Sequence, residues 1–296
     1  MAKRYKIIAI ILILVLCSTF TGKKESNNYS DVTVTVAMSK MDYITKHNIF
    51  SGDNGIKYIG HRGIGGLAPE NTLPSFELAG KLKFWGTECD VRTTSDGNWI
   101  ILHDDSVDRM TNGTGKIKNL SLSKVNSLTI NSGKNIGDYK GVKILKLQDY
   151  LLICKKWGIV PVIDMKPSDN LRHYDKFIQI LKKNGDVKKI VVISSSTESL
   201  KELRRRDKYL TLGLLCSDIN ASNINFVKTL GNAFINSSFR NITKDQITLC
   251  HKNNIKVGAW TVDNIIPAKS LIENGVDYLT TNKLLPEVKG KEIAIN

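Results

Sequence analysis

The sequence has few cysteines and no long hydrophobic segment, and each scarcity excludes a class of protein. Five cysteines among 296 residues are too few for a scaffold built on disulfides. The longest apolar run, residues 7–20, has fourteen residues, which is too short for a multi-span membrane protein. Hydrophobic residues make up 41% of the chain and charged residues 24%, values that exclude whole-chain disorder, collagen-like sequence and coiled coil. With these classes excluded, we predict a folded domain of the size typical of an enzyme.

Acidic residues are also scarce relative to basic ones. The chain has 43 Lys and Arg against 28 Asp and Glu, a formal net charge of +15. Such a surface favours anionic partners, namely a membrane or a cell-wall surface, although a lysine-rich solvated surface explains the number equally well. There is no zinc-finger spacing, RNA-binding aromatic motif or dense basic run, so we predict no nucleic-acid partner. The oligomeric state stays open.

The N-terminus has the order of an export signal. Residues 1–6 are basic, residues 7–20 are apolar, and Lys23 and Lys24 follow, a pattern typical of a signal peptide or an N-terminal anchor. We predict a signal or anchor over residues 1–25, a tether over 26–56 and a catalytic domain over 57–290. Retention, lipidation and cleavage of the leader all stay open. The protein is therefore predicted to be exported, and either membrane-anchored at the outer face or secreted.

From residue 57 onward, short β-rich runs alternate with amphipathic helical segments. Eight such strands over the domain predict a (β/α)8 barrel of the TIM-barrel type. A doubly wound open sheet is the alternative, but no Gly-rich dinucleotide loop follows the first strand. Residues 99–103 follow a turn-forming sequence and predict the return arm of a hairpin. Residues 109–141 are polar and rich in Gly and Asn, and predict a small insertion after the second strand, over the catalytic mouth.

Chemically reactive side chains are concentrated at the predicted strand ends, where a barrel carries its catalytic groups. Glu88 and Asp90 are two residues apart and share a face of their strand, so Cys89 points to the helical layer. Asp164 and Lys166 repeat this spacing on a later strand. Burying such charges costs several kcal/mol unless partners or a metal offset it. The whole set is His61, Arg62, Glu88, Asp90, His103, Asp164 and Lys166.

These residue types indicate a particular chemistry. Three carboxylates without a converging cysteine suit one hard divalent ion, Ca²⁺ or Mg²⁺. Two histidines supply a proton donor and an acceptor at neutral pH. Arg62 and Lys166 suit a phosphoryl oxygen. The combination predicts metal-assisted phosphoester cleavage. A sugar-active barrel with two catalytic carboxylates would leave the histidines and both cations without a role.

Several motifs run in order through the predicted barrel. The first is His61-Arg-Gly-Ile-Gly-Gly-Leu-Ala-Pro-Glu-Asn-Thr72, followed by Glu88-x-Asp90, His103-Asp104, Trp260-Thr-Val-Asp263 and Gly275-Val-Asp277. Together they resemble the glycerophosphodiester phosphodiesterase family over residues 57–286, nearly the whole predicted domain.

The resemblance implies a barrel that hydrolyses glycerophosphodiesters to an alcohol and glycerol 3-phosphate. It implies that His61 and His103 are the general acid/base pair. The other implied roles are metal binding by Glu88, Asp90 and Asp164, phosphate binding by Arg62 and Lys166, a glycerol pocket at Trp260, and support of Arg62 or the metal shell by Glu70.

The sequence departs from the family pattern at two places. The third metal carboxylate is usually Glu, so with Asp164 both direct and water-mediated metal contact are open. Thr280-Thr-Asn-Lys283 replaces the usual Thr-Asp-x-Pro. Three alternatives remain: a lysophospholipase D-like enzyme, a phosphoinositide- or sphingomyelin-type phosphodiesterase, and a non-catalytic phosphoglycerol-binding barrel. The substrate alcohol is also open, from small diesters to a phosphoglycerol polymer.

Overall fold

A computed structural model describes residues 55–168 and 170–286 of the chain. The predicted leader, and all of the predicted tether except its last two residues, lie outside the described residues. The described residues all fall in one compact unit. Their strands alternate with helices as the sequence predicts.

The strands of the described part are β1 (Lys57–Gly60), β2 (Gly86–Thr93), β3 (Trp99–Ile101), β4 (Val160–Met165), β5 (Val191–Ser194), β6 (Thr211–Cys216), β7 (Ala233–Ser238), β8 (Val257–Trp260) and β9 (Tyr278–Thr281). The helices are α1 (Leu73–Lys81), α2 (Leu122–Ser127), α3 (Leu147–Trp157), α4 (Leu171–Asn184), α5 (Thr197–Arg206), α6 (Ala221–Leu230), α7 (Lys244–Lys252) and α8 (Ile265–Glu273).

The sheet closes into a barrel. Strands are paired in the order β1-β9-β8-β7-β6-β5-β4-β2-β3, and an additional pairing joins β1 to β2. All these pairings are parallel except that of β3, which lies antiparallel on β2. Eight parallel strands with intervening helices therefore confirm the (β/α)8 prediction, and β3 is the predicted hairpin arm. The residues between β3 and α3 include α2 and two single 3₁₀ turns, as expected of an insertion.

Two hydrophobic cores hold the barrel together. A small one fills its interior and consists of Ile59, Val162, Val191, Ile193, Phe234 and Tyr278. A much larger one lies between the sheet and the helices. Cys89 belongs to this outer core, and the hydroxyl of Tyr150 on α3 approaches its thiol. The alternation along β2 therefore turns Glu88 and Asp90 inward, as predicted.

Helix ends follow the local capping chemistry. Asn170 and Thr243 cap α4 and α7 by accepting hydrogen bonds from first-turn N–H groups, and Gly185 and Gly231 end α4 and α6. Gly275 lies two residues beyond the end of its helix, directly after the C-cap Asn274, with φ of 94°. Among the described residues, no helix combines the length and apolar character needed to cross a membrane.

Candidate active site

A cavity of about 590 Å³ opens at the carboxyl ends of the barrel strands. It collects residues from β2, β4 and β8 and from the segments that follow β1, β3 and β4. Its lining includes eight of the nine residues that the sequence singled out: His61, Arg62, Glu88, Asp90, His103, Asp164, Lys166 and Trp260. The ninth residue, Glu70, does not line the cavity but contacts Arg62.

Three buried carboxylates form the floor of this cavity. Glu88, Asp90 and Asp164 each offer an oxygen, and these oxygens lie within 4.8 Å of one another. Asp90 and Asp164 are aligned partners in the parallel β2–β4 pairing, so the barrel register places them side by side. Lys166 contacts both, with its Nζ 2.8 Å from Asp90 Oδ1 and also in contact with Asp164 Oδ2.

The cluster has more negative charge than its neighbours neutralise. Burial and the repulsion of both aspartates hold the pKa of Glu88 well above its usual range, against the attraction of Arg62. Burial raises the pKa of Asp164 to about 6, with Asp90 adding repulsion and Lys166 opposing both. For Asp90, burial is outweighed by Lys166 and Arg62, and its pKa falls to about 2. An all-oxygen set with uncompensated charge suits a divalent cation of the calcium or magnesium kind.

A tight loop between β1 and α1 presents Arg62. Arg62 has φ of 52° and Gly63 φ of 83°, and a Cβ at Gly63 would lie 2.2 Å from Ser75 Oγ. Only glycine fits there. The loop is pinned to β2 because Arg62 N–H donates to Glu88 Oε2 at 2.8 Å. The loop and the acidic cluster are therefore one unit.

The Glu70-Asn71 pair of the first motif stabilises this unit. Asn71 Nδ2 donates to Asp90 Oδ2 at 2.8 Å, and Asp90 N–H donates back to Asn71 Oδ1 at 3.1 Å. Arg62 donates to Glu70 Oε1 at 2.9 Å. Of the two supporting roles left open for Glu70, the structure shows the contact with Arg62, and it is the adjacent Asn71 that contacts the acidic cluster.

The insertion adds a cation that the sequence did not single out. Arg109 donates to Glu70 Oε1 at 2.6 Å and, through Nε, to Asp104 Oδ2 at 2.5 Å. Asp104 in turn lies 2.8 Å from His103 Nδ1. Arg109 thereby joins the β1–α1 loop to the His103 segment. No short-range motif indicates this contact, because Glu70 and Arg109 are 39 residues apart.

A neutral amide holds the other histidine of the site, His61. His61 Nδ1 lies 2.9 Å from Asn282 Oδ1, while Asn282 Nδ2 donates to Asp263 Oδ2 at 2.8 Å. Because a carboxylate only accepts, the amide must turn its oxygen to His61, whose Nδ1 then carries the proton. Its Nε2 is left as an acceptor. Burial and Arg62 lower the pKa of His61, and the Asn282 hydrogen bond opposes them.

Sequence reasoning left the loop at Asn282 without a role. The signal was present, since Asn282 stands in the segment Thr280-Thr-Asn-Lys283 that departs from the family pattern, but its contact with His61 spans 221 residues. Asp263 accepts from both the backbone and the side chain of Asn282, so it fixes the amide orientation.

The other half of the cavity contains no carboxylate among the described residues. It is lined by Trp260, whose Nε1–H donates to Asn236 O at 2.9 Å, and by Arg240, with hydroxyls and amides between them. Within the described part, no carboxylate pairs with Arg240. The polar residues of this half are Ser195, Ser217, Asn236, Ser238, Arg240 and Asn241.

A (β/α)8 barrel with a buried acidic cluster, two histidines and two cations at its mouth defines the class of phosphoester-cleaving barrels. The model of the glycerophosphoryl diester phosphodiesterase family matches residues 61–285, and the chain belongs to that family. It is a phosphoric diester hydrolase.

Individual relatives agree with this placement. A glycerophosphodiester phosphodiesterase of Caldanaerobacter subterraneus subsp. tengcongensis is 28% identical over 227 residues, covering 76% of this chain and 93% of the relative. One from Bacillus subtilis is 25% identical over 260 residues, covering 80% and 87%. A solved Oleispira antarctica phosphodiesterase, in complex with the product sn-glycerol-3-phosphate, has a TM-score of 0.73 at 25% identity and covers 77% of this chain and 93% of its own.

Proposed function

We propose that the protein hydrolyses glycerophosphodiesters to an alcohol and glycerol 3-phosphate, with one divalent ion and a histidine pair. The observation that carries the proposal is that one cavity holds three buried carboxylates together with His61 and His103. The Nδ1 atom of His61 contacts a neutral amide oxygen, and that of His103 contacts a carboxylate oxygen. The product bound to the Oleispira antarctica relative supports the glycerol 3-phosphate half of the substrate.

His61 is the proposed base. Its Nδ1–H is engaged by Asn282, so Nε2 carries the free lone pair. Its lowered pKa keeps the ring neutral at neutral pH, as proton acceptance requires. It takes the proton of the attacking water, whose oxygen forms the new bond to phosphorus.

His103 is the proposed acid. Its Nδ1 lies 2.8 Å from Asp104 Oδ1, an anionic partner of the kind that a protonated imidazole requires. When the bond between phosphorus and the alcohol oxygen breaks, His103 gives a proton to that oxygen. Arg62 and Lys166 bind the phosphoryl oxygens. Arg62 Nε makes no hydrogen bond within the described part but lies 3.4 Å from Asp90 Oδ2, so this ion pair holds the guanidinium against the acidic cluster.

Glu88, Asp90 and Asp164 would hold the divalent ion. A bound cation supplies a Lewis acid that stabilises charge on phosphoryl oxygens. Calcium and magnesium both fit the oxygen ligands, and we propose one ion of this type.

In the carboxylate-free half of the cavity, Trp260 is the proposed lining of the glycerol pocket, and the polar residues around Arg240 suit the alcohol group. Quaternary ammonium groups are commonly recognised by aromatic cages, whereas this half offers one indole, several hydroxyls and Arg240. We therefore propose a polyol or anionic alcohol, such as glycerol or a phosphoglycerol unit, in preference to choline.

The predicted location stays part of the proposal. The basic, apolar, basic order of residues 1–24 supports an exported protein, either anchored at the outer face or secreted. Small glycerophosphodiesters or a phosphoglycerol polymer near an anionic surface are then the available substrates.

The test is a product assay on the full chain. Glycerophosphoglycerol, glycerophosphocholine, a lysophospholipid and a phosphoglycerol polymer are each incubated with and without chelator, and glycerol 3-phosphate is measured. We expect chelator-sensitive release, fastest with glycerophosphoglycerol. Arg240→Gln should reduce that preference and leave glycerophosphocholine turnover within about twofold. Phosphorylated alcohol as the product would indicate a different cleavage, and absence of turnover would favour a binding barrel.

A further inference from the structure

The opposite end of the barrel carries a concentration of basic residues. In a βα barrel, the amino ends of the strands and the carboxyl ends of the helices lie at the same face, away from the catalytic mouth. Of the seven helices that connect barrel strands within residues 55–168 and 170–286, six have Lys or Arg in the final turn. We call this end the basal face.

Helix dipoles explain only part of this concentration of basic residues at the basal face. A cation in the last turn stabilises a helix by interacting with its carboxyl-terminal carbonyls. Lys57 and Lys256, however, lie next to the starts of β1 and β8, and Lys188 and Lys189 lie in a 3₁₀ turn before β5. These four lysines need another explanation.

The four lysines surround a second cavity, of about 430 Å³, at the basal face. Its lining includes Trp85 and Tyr278 but no carboxylate from the described residues. Lys57 Nζ lies 4.9 Å from the ring centroid of Trp85 and 5.4 Å from that of Tyr278. Burial and the neighbouring Lys256 lower the pKa of Lys57, and Asp277 opposes them, while Lys189 pairs with Asp186 at 3.9 Å.

An exposed aromatic ring extends the same surface. Tyr209 is 49% exposed, and its ring lies 5.3 Å from Lys188 Nζ and 5.1 Å from Lys208 Nζ. Tyr and Trp beside lysines are the residue types that favour the interfacial zone of a bilayer. The basal face therefore combines positive charge with interfacial aromatic rings.

We infer that the basal face docks on an anionic phospholipid bilayer. Charge complementarity favours such a surface, since lysines near it are attracted within a Debye length. Chain connectivity favours a bilayer over a soluble polyanion: the first barrel strand begins at this same face, at Lys57, and the apolar run of residues 7–20 precedes it in the sequence. Docked in this way, the barrel directs its catalytic mouth away from the bilayer, toward diesters in solution or in the wall.

The test is co-sedimentation of the full chain with vesicles. Binding to vesicles of phosphatidylglycerol and phosphatidylcholine is measured at low and high salt. Binding to pure phosphatidylcholine vesicles, which reports the apolar leader, is subtracted from it. The triple variant Lys188→Gln, Lys189→Gln, Lys256→Gln should lose at least about tenfold of the anionic-vesicle preference. A matched triple variant in the insertion, Lys124→Gln, Lys134→Gln, Lys140→Gln, should retain it.

Turnover of a soluble diester should be unchanged in both variants, which checks folding. Equal losses in the two triple variants would show that net charge acts without a preferred face, and would overturn the inference. Retained vesicle binding by the basal variant would also overturn it. If that variant also loses binding to soluble polyphosphate, the basal face binds a polymer instead of a bilayer.

Discussion

Replacing Asn282 with alanine tests the proposed role of His61 without touching the cavity lining. The substitution removes the acceptor of the His61 Nδ1 proton, at 2.9 Å, and leaves Asp263 with the backbone N–H of residue 282, at 2.7 Å. A hydrogen bond of this kind contributes about 1 kcal/mol net, and a tenfold rate change corresponds to about 1.36 kcal/mol. Loss of the preferred tautomer adds to that cost, so we expect kcat to fall about tenfold.

The pH dependence gives the sharper readout. Burial and Arg62 lower the pKa of His61, while Asn282 raises it. Removing Asn282 therefore lowers this pKa further. A base must be neutral, so the acid limb of the kcat/KM profile, which reports the free enzyme, should move to lower pH. KM should change by less than about twofold, because Asn282 does not line the cavity.

The neighbouring Lys283→Ala variant is the control, since it alters the same loop at an exposed residue. It should keep both kcat and the pH profile. An acid limb that moves to higher pH in Asn282→Ala, or an unchanged kcat with an unchanged melting temperature, would refute the assignment of His61 as the base.

Three further predictions follow from the site and its supports. Ca²⁺ or Mg²⁺ at a hundredfold excess over Kd should raise the melting temperature by about 5–10 °C, and Asp164→Asn should abolish most of that shift. An equal shift in the wild-type protein and the variant would exclude this metal site. Alanine at either proposed catalytic histidine should cost about 10²-fold or more in kcat, whereas Cys89→Ser should cost far less, and comparable losses would contradict the inward register of the acidic pair. Gly63→Ala should lower the free energy of unfolding by at least about 2 kcal/mol, because φ is 83° and the new Cβ collides with α1; Gly137→Ala, with nothing within 4 Å, should be nearly neutral in the same denaturation assay.

Local patterns predicted a large share of this protein. Alternating residues set the inward faces of β2 and β4, so the sequence alone predicts one site for Glu88, Asp90 and Asp164. Capping residues such as Asn170 and Thr243 marked helix starts because their side chains compete for N–H groups only a few residues away. Strand alternation and helix capping involve residues only a few positions apart. The sequence therefore predicts the order of strands and helices and the polar side chains at the strand ends.

The contacts that orient the reactive groups were decided by closure of the barrel. Asn282 reaches His61 because β1 pairs with β9, and Arg109 reaches Glu70 because the insertion folds back over the first loop. The same closure gathers Lys57, the first residue of β1, and Lys256, which immediately precedes the seventh barrel strand β8, at one basal cavity. The sequence determined which side chains are available and which strand face carries them. Only the tertiary structure decided their partners, because pairing across some two hundred residues leaves no periodic trace along the chain.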